Sequence, residues 1–186
     1  SSDLGVPVRI NIENSVGSMA IAWLNGVTAE ELRHAMATFQ GAKRRFDFLL
    51  KTDKLVMIDD YAHHPEELAA SITSVKQLYP DRKVTGIFQP HLYTRTRDFA
   101  AEFARSLSLL DELILLDIYP AREKPIEGVT SKIIFDKVTC PKTLCRKDEL
   151  LPFLENKDDI EVLLTLGAGD IDQLLYRIKE TLEDKL

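Results

Sequence analysis

The chain has 186 residues, of which 45% are apolar and 29% charged, with only 8 glycines and 8 prolines. This composition excludes a disordered, collagen-like or disulfide-dense protein and predicts a folded core. The 30 acidic residues outnumber the 24 basic ones, and the net charge of −6 argues against a general affinity for nucleic acid or an anionic membrane.

The first 40 residues carry the apolar spacing of two helices. Apolar residues recur three and four positions apart from Val16 to Trp23, and Gly26 ends that segment. Thr28 then opens a second helix as its N-cap, with Glu31 placed to complete a capping box. The spacing therefore predicts a helical hairpin.

After the basic run at residues 43–45 the hydrophobic period changes, and we place a domain boundary between residues 45 and 46. Residues 46–50 and 55–58 are short strand-like runs joined by a polar turn. Further strands are expected at 84–88, 113–116 and 161–166, and helices at 65–79, 94–110, 131–137, 148–156 and 170–182. This alternation predicts an α/β fold with a mostly parallel sheet and helices on both faces.

Polar residues gather in the segments that follow these strands, at 59–65, 89–97, 117–123 and 167–170. In a parallel sheet the ligand binds beyond the carboxyl ends of the strands. Three of the four histidines, His63, His64 and His91, fall in these segments. This clustering is the main functional signal that the residues give by themselves.

Three interpretations of the cluster remain open. Asp59, Asp60 and the histidines are residue types found at hydrolytic metal sites. Three arginines instead favour an anionic ligand, since a guanidinium holds carboxylate or phosphate through a planar fork of donors; they are Arg95, Arg97 and Arg122. The third interpretation is that these side chains are solvated or only begin helices. We prefer the anionic ligand.

Three weaker features have ordinary structural interpretations that we prefer on the residues alone. Gly167 and Gly169 suit a tight turn before the last helix, although such a turn could also present N–H groups to an anion. The basic run at residues 43–45 is typical of a solvated segment. Asn11 and Asn14 are placed to cap the first helix.

The two cysteines, Cys140 and Cys145, have neither zinc-site nor redox-motif spacing, which favours inert thiols in a reducing compartment. The longest uncharged apolar runs are far shorter than the ~20 residues of a membrane helix, and no signal-peptide pattern is present. These features predict a cytoplasmic protein.

Five motifs combine into a family resemblance. In chain order they are RINIEN at 9–14, KRRF at 43–46, DDYAHHP at 59–65, FQPHLYTRTR at 88–97 and LGAGD at 166–170. The set resembles the Mur ligases of peptidoglycan synthesis, most closely the members that add L-alanine to UDP-N-acetylmuramate. The murein tripeptide ligases of cell-wall recycling are the runner-up, and a non-catalytic nucleotide-binding module is the alternative from another class.

The resemblance implies an ATP-driven amide ligation. The lactyl carboxylate of UDP-N-acetylmuramate would become an acyl phosphate, which the amine of L-alanine then attacks. Carried over by motif, Asn11 and Asn14 would meet the adenine, Arg45 the phosphates and Asp60 the ribose hydroxyls of ATP.

The same resemblance implies a substrate and catalytic group. His63, His91 and Arg95 would face the amino acid and the acyl phosphate, with Arg95 suited to the alanine carboxylate. Tyr61 would line the same substrate site. The resemblance implies no metal ligand among these residues.

The resemblance also implies a longer enzyme with three domains. The sequence has no GxxxxGK[ST] loop to hold nucleotide phosphates. Residues 1–45 would be the last helices of the central ATPase domain, and residues 46–186 the C-terminal domain that binds amino acid and nucleotide. Mg²⁺ would be bound mainly by the central domain, and the chain alone is expected to be inactive without its N-terminal and central domains.

Overall fold

One sheet organises most of the chain. The computed structural model describes residues 9–39 and 41–186, with side chains from residue 12 onward. Its strands are β1 (Asp47–Lys51), β2 (Val56–Asp60), β3 (Val84–Phe88), β4 (Glu112–Leu115), β5 (Lys142–Leu144) and β6 (Val162–Leu166). They lie in the order β1-β2-β6-β3-β4-β5. β1 is antiparallel to β2, and the other neighbouring pairs are parallel.

Helices cover both faces of the sheet. The helices of the described residues are α1 (Arg9–Leu24) and α2 (Ala29–Thr38), which form the hairpin, followed by α3 (Pro65–Leu78), α4 (Tyr93–Asp98), α5 (Ala100–Leu107), α6 (Lys132–Phe135), α7 (Leu150–Glu155) and α8 (Leu175–Glu183). The core on one face joins the strands to α3, α5 and α6, and the core on the other face joins them to α7 and α8. Successive strand residues point to opposite faces, so Ile58 enters the first core and Met57 the second. The predicted α/β fold with a mostly parallel sheet is confirmed.

The helical hairpin is present, and its connection follows local chemistry. Gly26 has a φ of +90°, in the left-handed region that ends a helix. Thr28 and Glu31 form the predicted capping box, in which the Thr28 N–H donates to Glu31 Oε2 at 2.9 Å. Asn14 lies inside α1, which begins at Arg9, so its expected role as a cap is wrong. Asn11 belongs to the same helix, but its side chain lies outside the described residues.

Several element boundaries differ from the prediction. The helix expected at 94–110 is two helices, because Phe99 leaves helical geometry at φ −116° and packs its ring against His64. The last helix begins as a 3₁₀ turn, Asp170–Leu174, before α8. The edge strand β5 was not predicted, since three residues are too short to show an alternating pattern.

Two further features bear on the predicted chemistry. Both cysteines are free thiols, and burial raises the pKa of Cys145 to about 11, which keeps that thiol protonated and unreactive near neutral pH. Within the described part of the chain, no helix has both the length and the apolar content needed to cross a bilayer.

Candidate functional site

The polar segments predicted from the sequence meet at the carboxyl edge of the sheet. The backbone N–H of Gly167, after β6, donates to the Asp60 carbonyl at the end of β2. The N–H of Gln89, after β3, donates to the Leu166 carbonyl, and His91 pairs with Tyr119 in an isolated parallel bridge. The turns that follow the four neighbouring parallel strands β2, β6, β3 and β4 therefore lie close together.

A small cavity brings together three of the residues that the resemblance assigns to the nucleotide. Asn14 from α1, Arg45 from the connecting segment (residues 41–46, before β1) and Asp60 from the end of β2 line one space of about 60 Å³. Ser71 and Ser74 of α3 also line this space. The three nucleotide candidates come from separate parts of the chain, and the structure places them around the same cavity.

Asp60, at the end of β2, is one of two acidic residues that line this cavity among the described residues, the other being Glu67 of α3. Burial raises the pKa of the Asp60 carboxyl, although the nearby Ser71 hydroxyl and the Ala62 N–H favour the charged form. The Ala62 N–H lies 3.3 Å from Asp60 Oδ1. Asp60 is therefore a hydrogen-bond acceptor at the cavity wall whose pKa lies above the ordinary value of an aspartate carboxyl.

Asp59 has a different environment although it is adjacent in sequence. Its side chain is fully buried, with Oδ1 accepting from Thr165 Oγ1 at 2.6 Å and Oδ2 from Arg44 Nε at 3.1 Å. Burial raises the pKa of Asp59, opposed by these two donors. Both carboxylate oxygens of Asp59 are therefore occupied by donors of the protein itself. Among the described residues, no group of three or more acidic, histidine or cysteine side chains is arranged to hold a metal ion. The geometry gives no support to the metal interpretation.

Arg44 is a functional candidate that sequence reasoning missed. Besides Asp59, it donates from Nη2 to the Gly167 carbonyl at 2.7 Å, and its guanidinium lies over the Tyr61 ring at 5.1 Å. The expectation of a solvated basic run fits the exposure of Lys43 and is wrong for Arg44. These contacts link residues far apart in sequence, so no local pattern could have indicated them.

A second group surrounds the histidines. The rings of His63 and His91 are 6.3 Å apart, and His91 stacks on Tyr119 at 5.8 Å. Nη1 of Arg95 lies 3.5 Å from Nδ1 of His91, and Nδ1 of His63 lies 2.9 Å from the Tyr61 carbonyl. Burial, followed by the charge of Arg95, lowers the pKa of His91, so this imidazole is neutral at neutral pH.

The remaining candidates have structural roles or stand apart. His64 precedes α3 and packs on Phe99, as expected for a residue that begins a helix. Arg97 is exposed and pairs with Asp98, and Arg122 is exposed. Of the three arginines proposed for an anion, Arg95 is the one beside the histidines.

The packing of the Gln89 side chain explains why glycines occupy positions 167 and 169, in the turn before the last helix. Its buried side chain accepts from the Ile171 N–H at 2.9 Å and donates to Asp170 at 2.8 Å. A Cβ atom on Gly169 would lie 2.3 Å from Gln89 Oε1, and Gly167 has a φ of +132°. The turn needs glycine for close packing, which supports the preferred interpretation of this segment.

Comparisons with known proteins agree with the arrangement of motifs. A family model described as "Mur ligase, glutamate ligase domain" matches residues 44–171. The chain is 69% identical over 181 residues to the UDP-N-acetylmuramate–L-alanine ligase of Parabacteroides distasonis, covering 97% of this chain and 39% of that protein. It is 58% identical over 182 residues to the protein of the same name from Porphyromonas gingivalis, covering 97% and 40%. The chain thus spans about 40% of the length of these curated relatives.

Solved structures of two ligases share the fold of this chain. The UDP-N-acetylmuramate-alanine ligase of Thermotoga maritima superposes with a TM-score of 0.79 at 26% identity, covering 98% of this chain and 40% of that one. A murein peptide ligase of Psychrobacter arcticus has a TM-score of 0.67 at 18% identity over 95% of this chain and 37% of its own, which shows a shared fold.

Proposed function

The chain belongs to the Mur ligase family, and we propose that it is the C-terminal part of an ATP-dependent ligase that joins L-alanine to UDP-N-acetylmuramate in the cytoplasm. The observation that carries this proposal is the 69% identity, over nearly the whole chain, to a relative named for that reaction. The same identity supports the alanine-adding reaction over the recycling of murein tripeptide.

The proposed chemistry has two steps. ATP transfers its γ-phosphoryl group to the lactyl carboxylate, giving an acyl phosphate and ADP. The amine of L-alanine attacks the acyl carbon, an amide bond forms, and inorganic phosphate leaves. Such a reaction depends mainly on positioning and on neutralising charge. In the proposal Mg²⁺ and most phosphate contacts belong to the central domain.

Asn14, Arg45 and Asp60 form this chain's wall of the proposed nucleotide site. Asn14 carries an amide that can pair with the donor and acceptor edge of adenine, Arg45 carries a fork for phosphate, and Asp60 can accept from ribose hydroxyls. A helical asparagine, a linker arginine and a carboxylate at a strand end have no common structural reason to share a cavity. Their shared cavity supports a ligand-binding role.

The histidine group is proposed as the amino-acid side of the site. Neutral His91 can accept a proton from the amine of L-alanine as the amide bond forms, with His63 beside it. Arg95 is placed to pair with the carboxylate of L-alanine. Tyr61 stands against His63 with its ring 5.2 Å away, and joins the amino-acid side to the nucleotide cavity that it also lines.

The nucleotide assignment is tested by Asp60→Ala in the full-length enzyme. Loss of hydrogen bonds to a charged acceptor, roughly 1.5 to 3 kcal/mol, should weaken ATP binding about 10- to 100-fold in a nucleotide titration. Asp158→Ala is the matched control, because Asp158 is an exposed carboxylate paired with Lys185. Unchanged ATP affinity in the Asp60 variant would remove that residue from the site.

The amino-acid assignment is tested by Arg95→Ala. We expect the KM for L-alanine to rise roughly 10- to 100-fold, with a much smaller change in the KM for ATP. Arg97→Ala, which removes an exposed arginine of the same helix, should leave both constants close to wild type. Equal behaviour of the two variants contradicts the role of Arg95.

The 186-residue chain by itself is expected to lack ligase activity. It has no loop to hold the nucleotide phosphates, and the stabilisation of phosphoryl transfer by such a loop and by Mg²⁺ amounts to several kcal/mol. Alanine-dependent release of ADP by this chain alone would show that the other domains are dispensable.

A further inference from the structure

Two adjacent arginines of the connecting segment, residues 41–46, have different surroundings. Arg45 is exposed and lines the cavity that holds Asn14 and Asp60. Arg44 is half-buried and reaches the turn after β6. Arg45 is therefore accessible to a ligand, whereas Arg44 is bound by groups of the protein itself.

The backbone of this segment is held in an uncommon conformation. Gly41 has a φ of +90°, and two residues with side chains, Arg44 and Phe46, have φ values of +60° and +52°. Left-handed conformations are unfavourable for residues with a Cβ, and they persist where surrounding contacts fix them. Phe46 is buried in the core, and the Arg44 side chain ties the segment to Asp59 and Gly167.

The contacts of Arg44 reach three elements at once. Nε donates to buried Asp59 on β2, Nη2 donates to the Gly167 carbonyl after β6, and Nη1 lies 3.5 Å from Asp172 in the 3₁₀ turn. Its own carbonyl accepts from the Tyr61 N–H at 2.7 Å. The planar fork of a guanidinium carries five N–H donors in a fixed geometry, so one arginine side chain can serve acceptors on several elements together.

Among the described residues of the helical hairpin, none belongs to either core of the sheet. No residue of α2 is buried, and a further cavity lies between the hairpin and the connecting segment, lined by Asn14, Met36, Phe39 and Arg45 among others. The placement of Asn14 and Arg45 against Asp60 therefore depends strongly on where the connecting segment is fixed.

We infer that Arg44 is a positioning residue for the proposed nucleotide site: it fixes the connecting segment to the ends of β2 and β6 and so holds Arg45 and Asn14 opposite Asp60. The identity of the ligand as ATP rests on the proposed function. Arg44 acts through Arg45 and Asn14 and makes no contact with ATP.

The test is a double-mutant cycle in the full-length enzyme, with ATP affinity measured by nucleotide titration. Arg44→Gln should weaken ATP binding about tenfold while the KM for L-alanine changes less than twofold. In an Arg45→Gln background the same change at Arg44 should weaken ATP binding clearly less than tenfold, because the part of its effect that passes through Arg45 is already lost and only the part that passes through Asn14 remains. Lys43→Gln, an exposed neighbour, is the matched control and should bind ATP like wild type.

A second variant guards against simple unfolding. Arg44→Gln leaves Asp59 buried without its cation, whereas Arg44→Gln combined with Asp59→Asn removes both charges. This paired variant should melt near wild type and still bind ATP about tenfold more weakly. Wild-type ATP affinity in the paired variant, or full additivity of the Arg44 and Arg45 changes, would overturn the inference.

A separate measurement tests the proposed function. If the wild-type full-length enzyme released no ADP in response to L-alanine, the ligase assignment would be wrong. That measurement uses no Arg44 variant, so the two proposals can fail independently.

Discussion

Thr165→Val tests how the buried Asp59 is held. Thr165 lies on β6 in the centre of the sheet and is fully buried. Its hydroxyl donates to Asp59 Oδ1 at 2.6 Å, while Arg44 serves the other oxygen. Valine has nearly the same shape, so the substitution removes the hydroxyl without leaving a large cavity.

The expected cost follows from that one bond. A hydrogen bond to a charged acceptor contributes roughly 1.5 to 3 kcal/mol, and its loss leaves the carboxylate with a single donor group. For a chain of this size about 1 kcal/mol corresponds to roughly 2 to 4 °C in melting temperature. Thr165→Val should therefore lower the Tm by roughly 3 to 12 °C.

The assays are thermal unfolding of the 186-residue chain at neutral pH, which gives the Tm, and urea unfolding from acidic to neutral pH, which gives the free energy of unfolding. Burial places the folded pKa of Asp59 above its unfolded value, so this group makes stability fall as pH rises through that interval. Removing the Thr165 donor raises the folded pKa further. The stability difference between wild type and Thr165→Val should therefore be small at low pH, where Asp59 is protonated in both, and grow towards neutral pH.

Thr85→Val is the matched control, because Thr85 is equally buried on neighbouring β3 and its hydroxyl has no hydrogen-bond partner among the described residues. Removing an unsatisfied hydroxyl should be neutral or slightly stabilising. The reasoning is refuted if both valine substitutions lower stability equally, or if the Thr165→Val difference is the same at every pH.

Three further outcomes are expected. Gly169→Ala would place a Cβ atom 2.3 Å from Gln89 Oε1 and should cost roughly 2 to 4 kcal/mol in urea unfolding. Gly17→Ala on α1 should be neutral or stabilising, because an added Cβ there meets no atom within 4 Å from the described residues outside its own helix turn. Burial raises the pKa of Asp60, so as the pH is lowered the ATP affinity of the full-length enzyme should begin to fall at a higher pH than an ordinary aspartate would give. The Asp60→Asn variant should not show this pH-dependent decrease in ATP affinity. Thr28→Ala removes the capping box and should lower stability by about 1 kcal/mol, measured by circular dichroism during denaturation.

The strands and the hairpin connection could be predicted because their causes are local. Residues 162–166 form a continuous apolar run, as expected for a parallel strand buried on both faces. Gly26, Thr28 and Glu31 carry turn and capping chemistry within six residues. The break at Phe99 could not be read in this way, because it reflects packing against His64 and not a glycine or proline.

The site was predictable only in part. Placing polar segments at the carboxyl edge follows from parallel topology, but the choice of Asn14, Arg45 and Asp60 came from the family resemblance. The distinction between Asp59 and Asp60 depends on which carboxylate faces Arg44, and Arg44 reaches Gly167 across 123 positions of sequence. Contacts over such separations leave no periodic pattern in the chain.

The position of β6 has a consequence for how the protein is made. This strand follows all the others in sequence yet lies between β2 and β3, so its pairing with β2 joins residues 106 positions apart, as in Val56 with Val162. Closing so long a loop slows folding. During synthesis the earlier strands must wait with apolar edges exposed until β6 leaves the ribosome, and that interval is when the nascent sheet is most open to aggregation and to chaperones.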